Sequence, residues 1–181
     1  MILQLFRKDP RRELIAALYA RIANAARHAG LYRELGIPDT LEGRFEALVL
    51  HMVLAQRGLR GRPVPAQDVA KDLMDALFQD LDASLREMGV GDTTVPKRMK
   101  KLGEAFFGRA HAYDPLLDAG DEAALAQALS RNVLGSAAPA QALARYALAA
   151  DRHLKAMDFA TFLAAENHFP QPEPFAGRSA S

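Results

Sequence analysis

Apolar residues recur along most of this chain at spacings of three and four, the period of a helix with one buried face. The stripe Leu14, Ile15, Leu18, Tyr19 and Ile22 predicts a first helix, with Asp9 as N-cap and Pro10 at its first position, running to Gly30. A short turn, Leu31 to Gly36, leads to Asp39 and Thr40, either of which can cap a second helix ending near Gly58. Arg57 to Pro65 is a basic loop holding two glycines and two prolines. The third helix, Ala66 to Met88, sets Leu77, Phe78, Leu81, Leu85 and Met88 on one face and Asp75, Asp82, Arg86 and Glu87 on the other. Gly89 stops it, because a left-handed residue without Cβ carries no penalty, and Gly91 and Asp92 continue the turn. Thr94 is the candidate cap of a helix from Val95 to Leu117, with Val95, Met99, Leu102 and Phe106 inward. Asp121 opens a shorter helix to Leu134. Ser136 caps a last long helix, Ala137 to Met157, which Asp158 restarts through Glu166.

No run alternates with period two and no segment repeats. The pattern predicts an all-α fold, a single bundle of six or seven helices over residues 9–166. An apolar N-terminal arm, 1–8, precedes it, and the Pro/Ser-rich residues 167–181 predict a disordered C-terminal tail.

Composition narrows the function classes. Half of the 181 residues are hydrophobic, a quarter are charged and the formal net charge is +1. Such a chain has no global field to draw nucleic acid or anionic lipid, so electrostatic targeting must come from local patches. Cysteine is absent, which excludes disulfides, thiol catalysis and cysteine metal sites. The best uncharged runs are Ala47 to Gln56, too short to span a bilayer, and Asn132 to Ala144, interrupted by Gly135 and Pro139. MILQLF is apolar from its second residue, with its basic residues following rather than preceding, unlike a secretory signal. The expected location is the cytoplasm, with peripheral attachment to the inner membrane as an option.

Catalytic and metal chemistry find little support. His28, His51, His111, His153 and His168 are scattered, and none stands at the spacing of a zinc or di-metal helix motif. His51 lies in an apolar stripe with Leu48, Met52 and Leu54, the setting of a core histidine satisfied by a hydrogen bond. Nucleophile-elbow, P-loop and dinucleotide motifs are missing. The reading is a non-enzyme with no cofactor and no metal.

Two strings invite a binding reading. Lys97, Arg98, Lys100 and Lys101 occupy the first turns of a helix, where cations oppose the macrodipole at a cost of a few tenths of a kcal/mol each. The bland alternative, a solvated face, weighs about equally; a ribosome or an anionic membrane surface would both attract such a patch. Without interleaved exposed aromatics, specific nucleic-acid recognition is not expected. Gly43 implies close approach of a neighbouring helix. Arg44 is expected to pair with a carboxylate such as Asp82 or Asp92, and an interhelical network of arginines and carboxylates would also absorb Arg86 and Arg109. Most of the methionines are expected in the core.

Longer strings carry a resemblance. ALFQDLDASLREMGVGD (Ala76 to Asp92), YRELGIPDTLEGRFEALVLHMVL (from Tyr32) and VPKRMKKLGEAFFGR (Val95 to Arg109), followed by AYDPLLD and ALAQALSRNVL, resemble the ubiquinol–cytochrome c chaperone family from Tyr32 to Leu134. Phe107 and Leu134 depart from the pattern, standing where tyrosines are usual. The resemblance implies an assembly chaperone of respiratory complex III that binds newly made cytochrome b, in mitochondrial relatives partly near the ribosome exit and together with a small partner subunit. On patch chemistry, the partner-binding residues are expected to be Arg86, Gly89, Gly91, Asp92, Lys97, Lys100, Lys101 and Arg109. The alternative is a helical carrier of quinone, lipid or haem, with Phe78, Phe106, Phe107 and Tyr113 lining a cavity and His51 or His111 as haem ligand.

Overall fold

The structure, a computed structural model, describes residues 9–135 and 140–177. Among these residues every regular element is helical, and the order is α1 (Pro10–Ala26), α2 (Ala29–Arg33), α3 (Leu41–Leu59), α4 (Ala66–Glu87), α5 (Val95–Ala119), α6 (Glu122–Leu129), a π-helical turn (Ser130–Leu134), α7 (Gln141–Ala156), α8 (Phe159–Ala164) and a 3₁₀ turn (Glu173–Phe175). The apolar arm 1–8, the cap Ser136 and residues 178–181 lie outside the described residues.

Helix α3 is the axis. From Val49 to Ala55 it is buried without interruption, since α1, α5 and α7 pack around it. Helix α1 turns Ile15, Leu18 and Ile22 into that core, as its stripe predicts, and Asp9 caps it by accepting from the Arg11 N–H at 3.0 Å. Tyr19 then ties α1 to α4 through a 2.7 Å hydrogen bond to Asp80.

Local chemistry differs from expectation at several points. The first helix stops at Ala26, because the His28 ring nitrogen accepts from the Gly30 N–H at 3.1 Å and caps a new short helix where a turn was expected. Thr40, not Asp39, caps α3, bonding the Gly43 N–H at 3.1 Å. Asp39 instead takes Arg44 at 2.7 Å, so Arg44 has no share in Asp82 or Asp92. What Gly43 admits is backbone of the preceding turn rather than a helix: a Cβ there would stand 1.9 Å from the Pro38 carbonyl oxygen. Thr94 makes no capping bond, since its own backbone is already helical (φ −96°, ψ −29°) and its hydroxyl is not aimed at the next turn's N–H groups. Asp158 does cap α8, accepting from the Thr161 N–H at 2.8 Å.

The Pro-rich segment after Asn167, expected to be disordered, lies against the bundle as far as Phe175. His168 and Phe169 are buried, and the Phe169 ring rests on His51 with centroids 4.6 Å apart. Phe175 meets Tyr146 edge-on at 5.7 Å.

Candidate functional site

Helices α4 and α5 form a long antiparallel hairpin whose inner halves join the common core through Leu73, Leu77, Phe106 and Tyr113. Its outer end does not. Leu85 and Val95 are buried, yet both stand outside the contiguous core, so this end of the hairpin is held by α4 and α5 packing on each other. The tip therefore projects from the bundle.

Arg86 organises the tip. Its guanidinium bonds Asp82 one helical turn back (2.6 Å) and Asp92 across the turn, joining the end of α4 to the loop. Gly89 between them has φ +79°, the left-handed conformation expected of a helix stop. Gly91 has open space where a Cβ would go and no positive φ. Met88, expected inward, is 51% exposed: α4 ends at Glu87, and Met88 falls beyond the last turn that α5 covers.

The basic cluster follows on α5. Lys97, Arg98, Lys100 and Lys101 are all exposed, on the side away from Val95, Met99, Leu102 and Phe106. Lys100 reaches Glu104 at 3.8 Å. Lys97, Arg98 and Lys101 form no ion pair among the described residues. With Asp82 and Asp92 both engaged by Arg86, the tip's positive charge is left facing solvent. Farther along α5, Phe107 is 61% exposed and meets Phe106 edge-on (5.4 Å), so a tyrosine hydroxyl at this position would face solvent.

The hairpin thus brings together Arg86, Gly89, Gly91, Asp92, Lys97, Lys100 and Lys101. Arg109 stands apart, twelve residues and roughly 18 Å beyond Lys97 along the helix. It faces inward and grips Glu46 of α3 with two bonds, 3.0 and 2.8 Å, which raise its pKa further above the ordinary range. In chemical terms the tip is a largely cationic surface with the exposed apolar Met88 at its edge.

A sequence model described as ubiquinol-cytochrome C chaperone matches residues 33–169. The chain belongs to the ubiquinol–cytochrome c chaperone family. A crystal structure of the Cbp3 homologue from Brucella abortus is 38% identical, with 96% of this chain and 98% of that one covered and a TM-score of 0.81. No curated protein matches.

Other candidates of the sequence take structural roles. His51 is buried with both ring nitrogens engaged, one by the Ala47 carbonyl and one by the Tyr146 hydroxyl, each at 2.7 Å, so neither is open to haem iron. Burial pushes its pKa down to about 4. The better formed cavities, about 430 and 240 Å³, lie elsewhere and touch none of Phe78, Phe106, Phe107 or Tyr113. No group of His, Asp or Glu among the described residues is placed to hold a metal ion. No described helix is long and apolar enough to cross a membrane.

One buried network was not singled out in the sequence. Arg57, 2% exposed, bonds Asp151 (2.6 Å), Asp114 (2.9 Å) and Asp118 (2.6 Å), which joins α3 to α5 and α7. The available signal was the spacing of four between Asp114 and Asp118, combined with Arg57 falling three residues after Leu54 on the buried face of α3.

Proposed function

We propose that this family member is a non-enzymatic assembly factor of respiratory complex III, and that its client is newly made cytochrome b. The observation that carries the reading is the α4–α5 tip, within the region the family model matches, where Met88 at the end of α4 and Lys97, Arg98 and Lys101 at the start of α5 are exposed and the three cations have no ion pair among the described residues. An unassembled membrane protein presents apolar helices, and a chaperone needs exposed apolar surface with a polar border to hold them. In this reading Met88 and Phe107 supply apolar contact. Lys97, Lys100 and Lys101 supply charge, Arg86, Gly89, Gly91 and Asp92 set the shape of the tip, and Arg109 fixes α5 from behind.

The test places a photocrosslinking residue at position 88 in a tagged copy, during active complex III synthesis. Enrichment of cytochrome b over other membrane proteins is the expected result. Indiscriminate capture of unrelated membrane proteins would make the protein a general holdase, and no membrane-protein capture would end the client reading.

A further inference from the structure

Residues 166–175 leave α8 and run as a strap over parts of α1, α2, α3 and α7. Its two aromatic side chains share one floor. Phe169 lies on His51 (centroids 4.6 Å) and Phe175 meets Tyr146 edge-on (5.7 Å), while His51 and Tyr146 are themselves hydrogen-bonded at 2.7 Å. The 3₁₀ turn Glu173–Phe175 bends the chain, so rings six residues apart land side by side. Between them Pro172 is buried against Gly30, where a Cβ would stand 3.1 Å from the proline Cβ.

Side chains do the fastening. Pro170, Pro172 and Pro174 have no N–H, and no backbone N–H from Asn167 to Glu173 donates a bond among the described residues. His168 Nε2 donates to the Phe162 carbonyl at 2.6 Å, and Arg145 reaches the Phe175 carbonyl at 3.4 Å. Glu173 stands 3.6 Å from His28 Nδ1, but that nitrogen accepts the Gly30 N–H and has no proton to give. The fit is incomplete as well. A cavity of about 240 Å³ separates the strap from α1, with Arg21, Asn24 and His28 on one side and Asn167 and Gln171 on the other. His168 Nδ1 is buried without a hydrogen-bond partner, a cost of the docked position that release removes. A segment with so few ties belongs to the low-stability end of a fold.

We propose that the strap is an exchangeable occupant of a peptide seat, and that the seat takes in its place a segment of a partner protein bearing two aromatic side chains and intervening prolines. The strap's own chemistry specifies that class: two rings for the floor of His51 and Tyr146, a proline against Gly30, and a backbone that asks for no hydrogen bonds. Until such a segment arrives, the tethered strap keeps the apolar floor covered and competes at its own effective concentration. The proposal does not rest on the cytochrome b reading, since its probe is a peptide and no client is present.

The test is fluorescence anisotropy of a labelled peptide of residues 166–177, added to the native full chain and to full-length Phe169→Ser/Phe175→Ser. The peptide should bind the double variant about a hundredfold more tightly, because the native strap competes in cis. Should that variant fail to fold, Gly30→Ala, which presses on Pro172 and leaves both rings in place, replaces it. The chain lacks cysteine, so a thiol introduced by Pro172→Cys reports strap opening with both rings intact. It should react with a maleimide about a hundredfold faster than a thiol introduced by Leu54→Cys in the core of α3. Equal reaction rates would make the strap part of the cooperative core and overturn the proposal. So would equal peptide affinity for native and variant chains, or binding to neither. A dimer formed by the native chain alone would make a second copy the occupant and overturn the assignment to a partner protein.

Discussion

Arg109 of α5 and Glu46 of α3 face each other as a two-bonded guanidinium–carboxylate pair, 3.0 and 2.8 Å. Both side chains are largely withdrawn from water, so the pair resists screening better than a surface bridge. Arg109→Met should lower stability by about 1–2 kcal/mol, as expected for a charged hydrogen-bonded pair that keeps some solvent contact. A double-mutant cycle with Glu46→Gln in urea should show coupling, and client capture should persist wherever the protein is folded. Loss of capture at full stability would move Arg109 into the contact surface.

The lysines predict the reverse partition. Lys97, Lys100 and Lys101 are exposed at the start of α5, where cations oppose the helix dipole. Replacing all three by glutamate should leave helicity intact and the melting temperature nearly unchanged, because the dipole gain at Lys97 in the first turn is offset by Lys100→Glu facing Glu104 one turn on. Crosslinking to cytochrome b should fall sharply in the same variant. Retained crosslinking would reduce the cluster to a solvated face.

The two glycines of the turn should separate. At φ +79°, Gly89→Ala forces a side chain into left-handed backbone, a cost of about 1–2 kcal/mol that denaturant titration would read. Gly91 has neither constraint, so Gly91→Ala should change stability by less than about 0.5 kcal/mol. A defect in client capture by Gly91→Ala would then report contact rather than folding.

Arg57 is held by three carboxylates, one of them, Asp151, almost fully buried. Arg57→Leu strands that carboxylate with only Lys155 nearby, at 3.0 Å, and should cost about 3–5 kcal/mol. Arg57→Leu/Asp151→Leu should recover part of the loss. A double variant no more stable than the single would show that Asp114 and Asp118 carry the penalty.

Helix periodicity made the α4–α5 hairpin legible because each stripe meets its partner across a short turn. Apolar spacing places Leu77 and Leu85 on α4, and Val95 and Phe106 on α5, and all four are buried. The break after Ala26 was not legible, since a histidine serves as the cap and no usual capping residue marks the place. Arg57 was hidden for a different reason: its carboxylates lie far along the chain, and a lone arginine in a basic string reads as solvated until the fold delivers its partners. Met88 follows the stripe by spacing and leaves it in space, because periodicity cannot tell where a partner helix ends.

Acid should expose the buried histidine. His51, pushed down to about 4 by burial, is neutral in the folded chain, whereas its unfolded counterpart takes a proton near 6.5. Above about pH 6.5 both states are neutral and stability is full. As pH falls from there to about 4, the unfolded state gains protons first and stability drops, by up to about 3 kcal/mol for a shift of this size. Below about 4 both states are protonated and this loss levels off. Asp39, Asp118 and Asp158, all held below the ordinary carboxylate range by hydrogen bonds, lose their contribution only under still more acid conditions. His51→Leu/Tyr146→Phe removes the buried ring and its hydroxyl partner together, leaving neither unsatisfied. Urea titrations across this window should show a flatter pH dependence in the double variant, with a residual slope from His168, which burial also lowers. An identical slope in both proteins would mean that His51 is reached by water or already charged in the fold.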